Sequence, residues 1–167
     1  MKKRASVTAN EQMFTEDISP LDYRAQGPIR RLSLIDTELG PPSRSETYFH
    51  DTVIKQLGSR GKGKKMPGAA PGTVAFIDYE TWDDVGGPRL YIHYMNTRSD
   101  LRGKGYARRL LLHLMDAAEK AGVVHVDFGK VISETVWKLY REYREMYEAG
   151  ASKVSVSGFN DVLYRRW

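Results

Sequence analysis

The chain has no cysteine among its 167 residues, which excludes disulfides, thiolate-ligated zinc and a cysteine nucleophile. A chain without thiols is compatible with a reducing compartment, and a cytoplasmic location is the expectation. It also lacks any apolar run long enough to cross a bilayer. The opening MKKRASVTANEQMF has a basic start with no apolar stretch behind it, so it does not read as a secretory leader. No internal repeat is present. Hydrophobic residues make up 41% and charged residues 28% of the chain, a balance that fits a globular domain rather than a disordered segment. The length suits one domain with a real core. Positive charge is in modest excess, with 26 Lys and Arg against 21 Asp and Glu and a formal net charge of +5. That favours anionic partners: nucleotides, acidic proteins or nucleic acid.

Hydrophobic patterning divides the chain. Residues 1–27 are polar and read as an irregular arm, followed by one domain over 28–167. IRRLSLIDTEL (29–39) alternates around Leu32 and Leu34 and predicts a strand. In SRSETYFHDTVIKQLG (43–58), Ser43 and Glu46 stand at capping-box spacing, and Phe49, Val53, Ile54 and Leu57 share a helical face. A helix is predicted there, then a Gly- and Pro-rich basic loop over 59–72. TVAFIDYE (73–80) and RLYIHYMNT (89–97) predict an antiparallel strand pair joined through TWDDVGGP. From Tyr106 to Ala121, Ala107, Leu110, Leu111, Leu114 and Ala118 form an apolar stripe that Gly122 ends. VVHVDFG (123–129) reads as a buried strand. Ser133 can cap a second helix carrying Val136, Leu139, Tyr140, Tyr143 and Tyr147. KVSVS and DVLYRRW predict a closing hairpin about GFN. This order predicts an α/β (α+β) fold with a mixed sheet flanked by helices.

Two glycine-rich stretches could hold a phosphate. GSRGKGKK (58–65) has the G-x-x-x-x-G-K spacing of a P-loop, but Lys65 stands where a magnesium-ligating hydroxyl is needed. It reads as a solvated basic loop. RGKGYA (102–107) fails the dinucleotide fingerprint, because Arg108 replaces its third small residue, although Asp127 lies at a distance that suits a ribose-binding acid. What it does match is R-x-x-G-x-A, on Arg102, Gly105 and Ala107, placed between a strand and an amphipathic helix. Glycine lets the backbone approach a ligand, and a helix start offers unpaired N–H groups with partial positive charge.

At these residues the chain resembles the GNAT superfamily of acetyl-CoA-dependent N-acetyltransferases. The resemblance covers about residues 73–148 and is strongest in NTRSDLRGKGYARRLLLHLMDAA. It implies a mixed, twisted central sheet and acetyl-CoA as co-substrate, with no metal. It implies that main-chain groups of Met95, Asn96 and Thr97 meet the pantetheine arm. The turn of Arg102, Gly103, Lys104, Gly105, Tyr106, Ala107 and Arg108 would cradle the pyrophosphate. The later family pattern N-x-x-A-x-x-L-Y is echoed by SETVWKLY, with Ser133 for the Asn as a further coenzyme contact. Its Tyr140 would protonate the departing thiolate, as the family tyrosine does.

Acetyl transfer to an amine also needs a proton acceptor and oxyanion stabilisation. His93 is the expected base, because imidazole titrates near neutrality and strand alternation places it with Met95 and Thr97. Asp78 and Glu80 are rivals acting through water; His50, His113 and His125 have less claim. A backbone N–H near Met95 or Asn96 would meet the oxyanion. Lys62, Lys64, Lys65, Arg102, Lys104, Arg108 and Arg109 are expected to form a basic rim. The reading is an acyl-CoA-dependent N-acyltransferase acting on a primary amine, without membrane association and with a homodimer left open. The rivals are a catalytically silent coenzyme-binding protein and a nucleic-acid-directed protein using the 59–65 loop and the tail Tyr164, Arg165, Arg166, Trp167.

Overall fold

The computed structural model describes residues 11–18, 28–39, 53–57, 63–129 and 133–158, with backbone alone for 53–57 and 63–66. In order these form β1 (Glu11–Ile18), β2 (Ile29–Asp36), β3 (Val53–Leu57), β4 (Gly63–Pro67), β5 (Thr73–Asp84) and β6 (Gly87–Thr97). Then come α1 (Tyr106–Lys120), β7 (His125–Asp127), α2 (Glu134–Glu148) and β8 (Ser155–Ser157). Six strands make one mixed sheet in the order β1-β2-β5-β6-β7-β8. Neighbours from β1 to β6 run antiparallel, whereas β6-β7 and β7-β8 are parallel. The α/β architecture with a mixed sheet is thus the one the chain adopts. No helix among the described residues is long and apolar enough to cross a membrane.

Three expectations are corrected. Residues 11–18, read as part of an irregular arm, form β1 at the sheet edge. An edge strand tolerates polar side chains facing water, so EQMFTEDI carries little apolar alternation. Residues 53–57, read as the end of a helix, form β3, and 63–67, read as loop, form β4. The two pair from Val53↔Pro67 to Leu57↔Gly63. A short apolar segment is ambiguous by periodicity, and a facing partner strand decides it; Pro67 sits at a strand end, where a missing N–H is tolerated. The rest of the predicted helix lies outside the described residues, as does the DVLYRRW half of the closing hairpin. The link between β5 and β6 is also tighter than TWDDVGGP suggested, since pairing runs out to Asp84↔Gly87.

The core lies between α1, α2 and one sheet face. Leu110, Leu111, Leu114, Met115 and Ala118 of α1 pack with Leu32, Leu34, Ala75, Ile77, Leu90, Ile92, Leu139 and Tyr140. Both helices end as their glycines imply. Gly122 (φ +80°) and Gly150 (φ +74°) take left-handed conformations, and Val123 and Ala151 donate back to Ala118 and Met146. The opposite sheet face holds a small cluster of Ile29, Ala69 and Phe76 beside a buried ion pair. Arg31 and Asp78 are 2% and 0% exposed at the side chain. They join through two hydrogen bonds, Nε to Oδ1 at 2.6 Å and Nη2 to Oδ2 at 2.8 Å. Arg31 spends further donors on the carbonyls of Pro67 and Gly68 and stacks over Phe76. One side chain therefore ties the chain after β4 to the main sheet.

Two local features position the site. In β6 the pairing passes from Asp78↔Tyr94 to Tyr79↔Ile92, so His93 is the extra residue of a β-bulge. Parallel pairing of β6 with β7 runs only from Arg89↔His125 to Tyr91↔Asp127. Beyond Tyr91 the ladder pairing of the two strands ends. Gly129 sits in the fork with φ +59°, where an added Cβ would lie 2.5 Å from the Ile92 carbonyl oxygen and 3.0 Å from the Tyr91 hydroxyl.

Arg31→Met would strand the Asp78 carboxylate in the interior, and loss of one partner of a buried pair costs about 3–5 kcal/mol. Urea unfolding should show that loss in the midpoint; an unchanged midpoint would contradict it. Gly129→Ala should destabilise by about 1–3 kcal/mol through overpacking, with the left-handed backbone adding strain. Substitution at Gly103, where a Cβ meets open space, should cost only the backbone part, so the difference between the two variants reads the fork itself.

Candidate active site

The chain leaves β6 through a short 3-10 turn, Ser99–Leu101. Arg98 is buried and grips Asp100 through two hydrogen bonds of 2.7 and 2.6 Å, which hold the Asp100 carboxyl below the usual carboxylate range. Gly103 (φ +78°) and Gly105 (φ +83°) then adopt conformations that L side chains rarely reach. Gly105 is the N-cap of α1, no side chain caps that end, and the first turn contains no acidic residue. The N–H groups of the first turn therefore point outward without partners from their own helix. A Cβ at Gly103 or Gly105 would project into open space. The result is a concave run of backbone donors at a positive helix end, whose chemistry fits a pyrophosphate.

Arg102 folds back toward β6, with Nε 3.3 Å from the Thr97 carbonyl and Nη2 3.4 Å from Asn96 Oδ1. It thereby ties the turn to the strand that precedes it. Lys104 is exposed. Tyr106 and Ala107 form the first turn of α1. The expected basic rim is corrected at two positions: Arg108 bridges to Glu142 of α2, and Arg109 pairs with the buried Glu11 of β1. Both guanidinium groups tie α1 to its neighbours, because a helix start wedged between a second helix and a sheet edge brings it beside carboxylates. Lys62 lies outside the described residues.

Met95, Asn96 and Thr97 pair with Ile77, Phe76 and Ala75 of β5. On their other flank no strand follows β6 past Tyr91 among the described residues. An extended ligand can meet the main chain there.

The bulge re-aims His93. Cross-strand partners share a face, so Met95 stands with Ile77 over the core, whereas His93 reaches Glu80 on the opposite face. The shared face expected for His93, Met95 and Thr97 is therefore corrected. His93 Nε2 lies 2.8 Å from Glu80 Oε1, both side chains 5% exposed. A carboxylate only accepts, so Nε2 carries the hydrogen toward Glu80 and the acceptor atom of a neutral ring is Nδ1. The Tyr91 ring meets His93 edge-on at 4.7 Å between centroids. Burial, then Asp127 and Glu80, push the Tyr91 hydroxyl above the usual phenol range. Glu80 is thus the partner of His93 rather than a separate rival. Asp78, the other rival, is committed to Arg31 and is withdrawn as a base. His113 is exposed on α1, His125 bonds two serines, and His50 lies outside the described residues.

Ser133 caps α2, its Oγ accepting from Val136 N at 3.1 Å, so it serves the helix first. Tyr140 is buried, stacked on Trp137 and edge-on to Phe128 at 5.5 Å. Phe128 directly follows β7, which places Tyr140 beside the fork between β6 and β7. Glu80, Tyr91 and Arg31 belong to this neighbourhood and carry no local signal. Each is an ordinary strand residue until a distant strand supplies its partner. The doubled arginine in IRRLSLI was the one visible oddity, since a charge at a core position of a strand needs a counter-charge.

A model of the acetyltransferase (GNAT) family matches residues 42–144. No protein of curated function matches the chain. Among solved structures it is similar to a ribosomal-protein-alanine N-acetyltransferase from Brucella melitensis biovar Abortus 2308, with 25% identity and TM-score 0.37 over 45% of this chain and 57% of that one. It is also similar to a point mutant of the AtaT toxin bound to the C-terminus of the antitoxin AtaR and acetyl-CoA, with 10% identity and TM-score 0.36 over 69% and 57%. The similarity spans little more than half the length of either protein. The family match covers well over half of the present sequence and includes the fork, the bulge and the uncapped helix start: the chain belongs to the GNAT family of acetyltransferases.

Proposed function

We propose that the chain moves a short acyl group, acetyl foremost, from coenzyme A to a primary amine. The observation that carries this reading is the path from β6 into α1. A strand flank that has no strand partner at residues 95–97 among the described residues leads directly into an uncapped helix start built on two left-handed glycines. The main chain of Met95, Asn96 and Thr97 would hold an extended amide-bearing arm, and the turn over 102–108 would hold the pyrophosphate. The thioester, when bound, supplies the activated acyl group.

The remaining chemistry falls to side chains around the fork. His93, held at Nε2 by Glu80, takes the proton of the attacking ammonium at Nδ1, directly or through one water. Glu80 fixes the ring and stabilises the imidazolium that results, as a carboxylate behind a histidine does. Tyr140 gives its phenolic proton to the departing sulfur. A backbone N–H at Met95 or Asn96 orients the acyl oxygen. Ser133 contributes through the start of α2, and a coenzyme contact would use its hydroxyl hydrogen while the oxygen keeps capping.

Gly105→Val should leave the fold in place and weaken coenzyme A binding by at least about tenfold, or ~1.4 kcal/mol, because the side chain fills the space the ligand needs. Calorimetry with coenzyme A alone reads this, and unchanged affinity in a folded variant would reject the cradle.

His93→Gln should retain coenzyme affinity and lose the acidic limb of the pH–rate profile, with rate falling about 100-fold. Tyr140→Phe should lower turnover at unchanged affinity. Full rate with the same profile in both variants moves proton transfer to water. Binding without amine acetylation by the wild-type chain would instead favour a catalytically silent coenzyme-binding protein.

A further inference from the structure

β7 and β8 carry a second reactive grouping that amine transfer does not use. β7 and β8 pair in register His125↔Ser155 and Asp127↔Ser157, so these four side chains share a sheet face. The His125 ring lies between two hydroxyls, Nδ1 2.6 Å from Ser155 Oγ and Nε2 2.7 Å from Ser157 Oγ. A third link sets the directions. Ser155 Oγ donates to the Val124 carbonyl at 3.2 Å, so its lone pair receives the His125 Nδ1 hydrogen. The lone pair of the neutral ring then stands at Nε2, and the Ser157 hydroxyl is the donor there. A hydroxyl on a base, with the base held in one tautomer by a third group, is the arrangement that activates a serine.

The surroundings favour this use. Burial, reinforced by the Arg89 charge and opposed by Asp127, holds the imidazole below its usual range, so it is neutral and proton-accepting at neutral pH. Arg89 of β6 pairs in register with His125 on the same face. Its Nε is buried without a hydrogen bond; Asp84 Oδ2 lies 3.2 Å away as an ion-pair contact only. Arg89 thus stands in the row of His125 and Ser155, whereas the register neighbour of Ser157 is Asp127, so the assignment rests on the Ser157–His125–Ser155 hydrogen bonds. Ser155, Ser157 and His125 are all partly exposed, so a small reagent can reach them.

We propose that Ser157 is an acyl-accepting nucleophile with His125 as its general base, forming a second acyl-transfer site for activated short-chain acyl esters and thioesters. Ser157 Oγ bonds to the acyl carbon while its proton passes to His125 Nε2. The bond from that carbon to the alkoxide or thiolate breaks, and the leaving group takes the proton from His125. Water then bonds to the acyl carbon, gives its proton to Nε2, and the ester bond to Oγ breaks, returning the proton to Ser157 and releasing the acid. Ser155 is a positioning residue that holds the His125 tautomer. None of this rests on the coenzyme reading.

The test uses the full chain with p-nitrophenyl acetate and, separately, phenylmethanesulfonyl fluoride, followed by peptide mass spectrometry. An acetyl or sulfonyl adduct on Ser157 of the folded wild type is expected, with its rate rising with pH as His125 deprotonates. His125→Gln should slow adduct formation by about 100-fold, and Ser155→Ala should lower the rate and displace its pH midpoint. Neither adduct on Ser157 of the wild type, or labelling confined to lysines, overturns the proposal. So does an unchanged Ser157 labelling rate in folded His125→Gln.

Discussion

Among the described residues β6 has a full-length partner on one side and a three-residue partner on the other, and the proposed site depends on that inequality. A strand exposes hydrogen-bonding groups on both flanks, and groups left unpaired must find water or a ligand. β5 serves one flank from Asp84↔Gly87 to Ala75↔Thr97. β7 serves the other only as far as Tyr91↔Asp127. Just past the end of that ladder the missing side chain of Gly129 lets the chain pass against the Ile92 carbonyl. Among the described residues that flank leads straight to the α1 start, and in the proposed reading one strand would provide both the rail for an extended arm and the approach to an anion cradle.

A second constraint is the burial of charge on the sheet face opposite α1. Arg31–Asp78 joins β2 to β5 and His93–Glu80 joins β6 to β5, and the two pairs do different work. In the first, Arg31 directs its bonds at the Asp78 carboxylate and at the carbonyls of Pro67 and Gly68, and it secures the end of β4. The second is a carboxylate behind a titratable ring. The bulge at His93 makes this division, because an unbulged β6 would turn His93 toward the core with Met95. Arg108 and Arg109 show the same economy of charge on the other side. Positions that suggest an anion-binding rim are used to fix α1 against α2 and β1, so the proposed cradle would rely on backbone donors.

The local structure around the proposed site was legible because it depends on short stretches of chain. The R-x-x-G-x-A turn, the stripe of α1, the stops at Gly122 and Gly150 and the Ser133 cap each need only a few consecutive residues to agree. The antiparallel pairing of β5 with β6 was legible too, since both strands carry their own alternation. The turn between them was over-long in the reading because pairing continued into polar residues that propensity discounts.

Where the decision belonged to a distant partner, sequence pattern failed. β1 is polar because it lies at an edge, and β3 and β4 are strands because they face one another. The side on which His93 points was set by one unpaired residue in β6, and no one-strand alternation rule can register an extra residue in the ladder. The partners of Asp78, Glu80, Arg108 and His125 lie 47, 13, 34 and 30 or more positions away. By itself the sequence determined which backbone turn could cradle an anion, because glycine conformation and helix polarity are local properties. Only the tertiary structure decided which charged side chains serve the site and which serve the fold, because that depends on the counter-charge the fold brings within hydrogen-bonding distance.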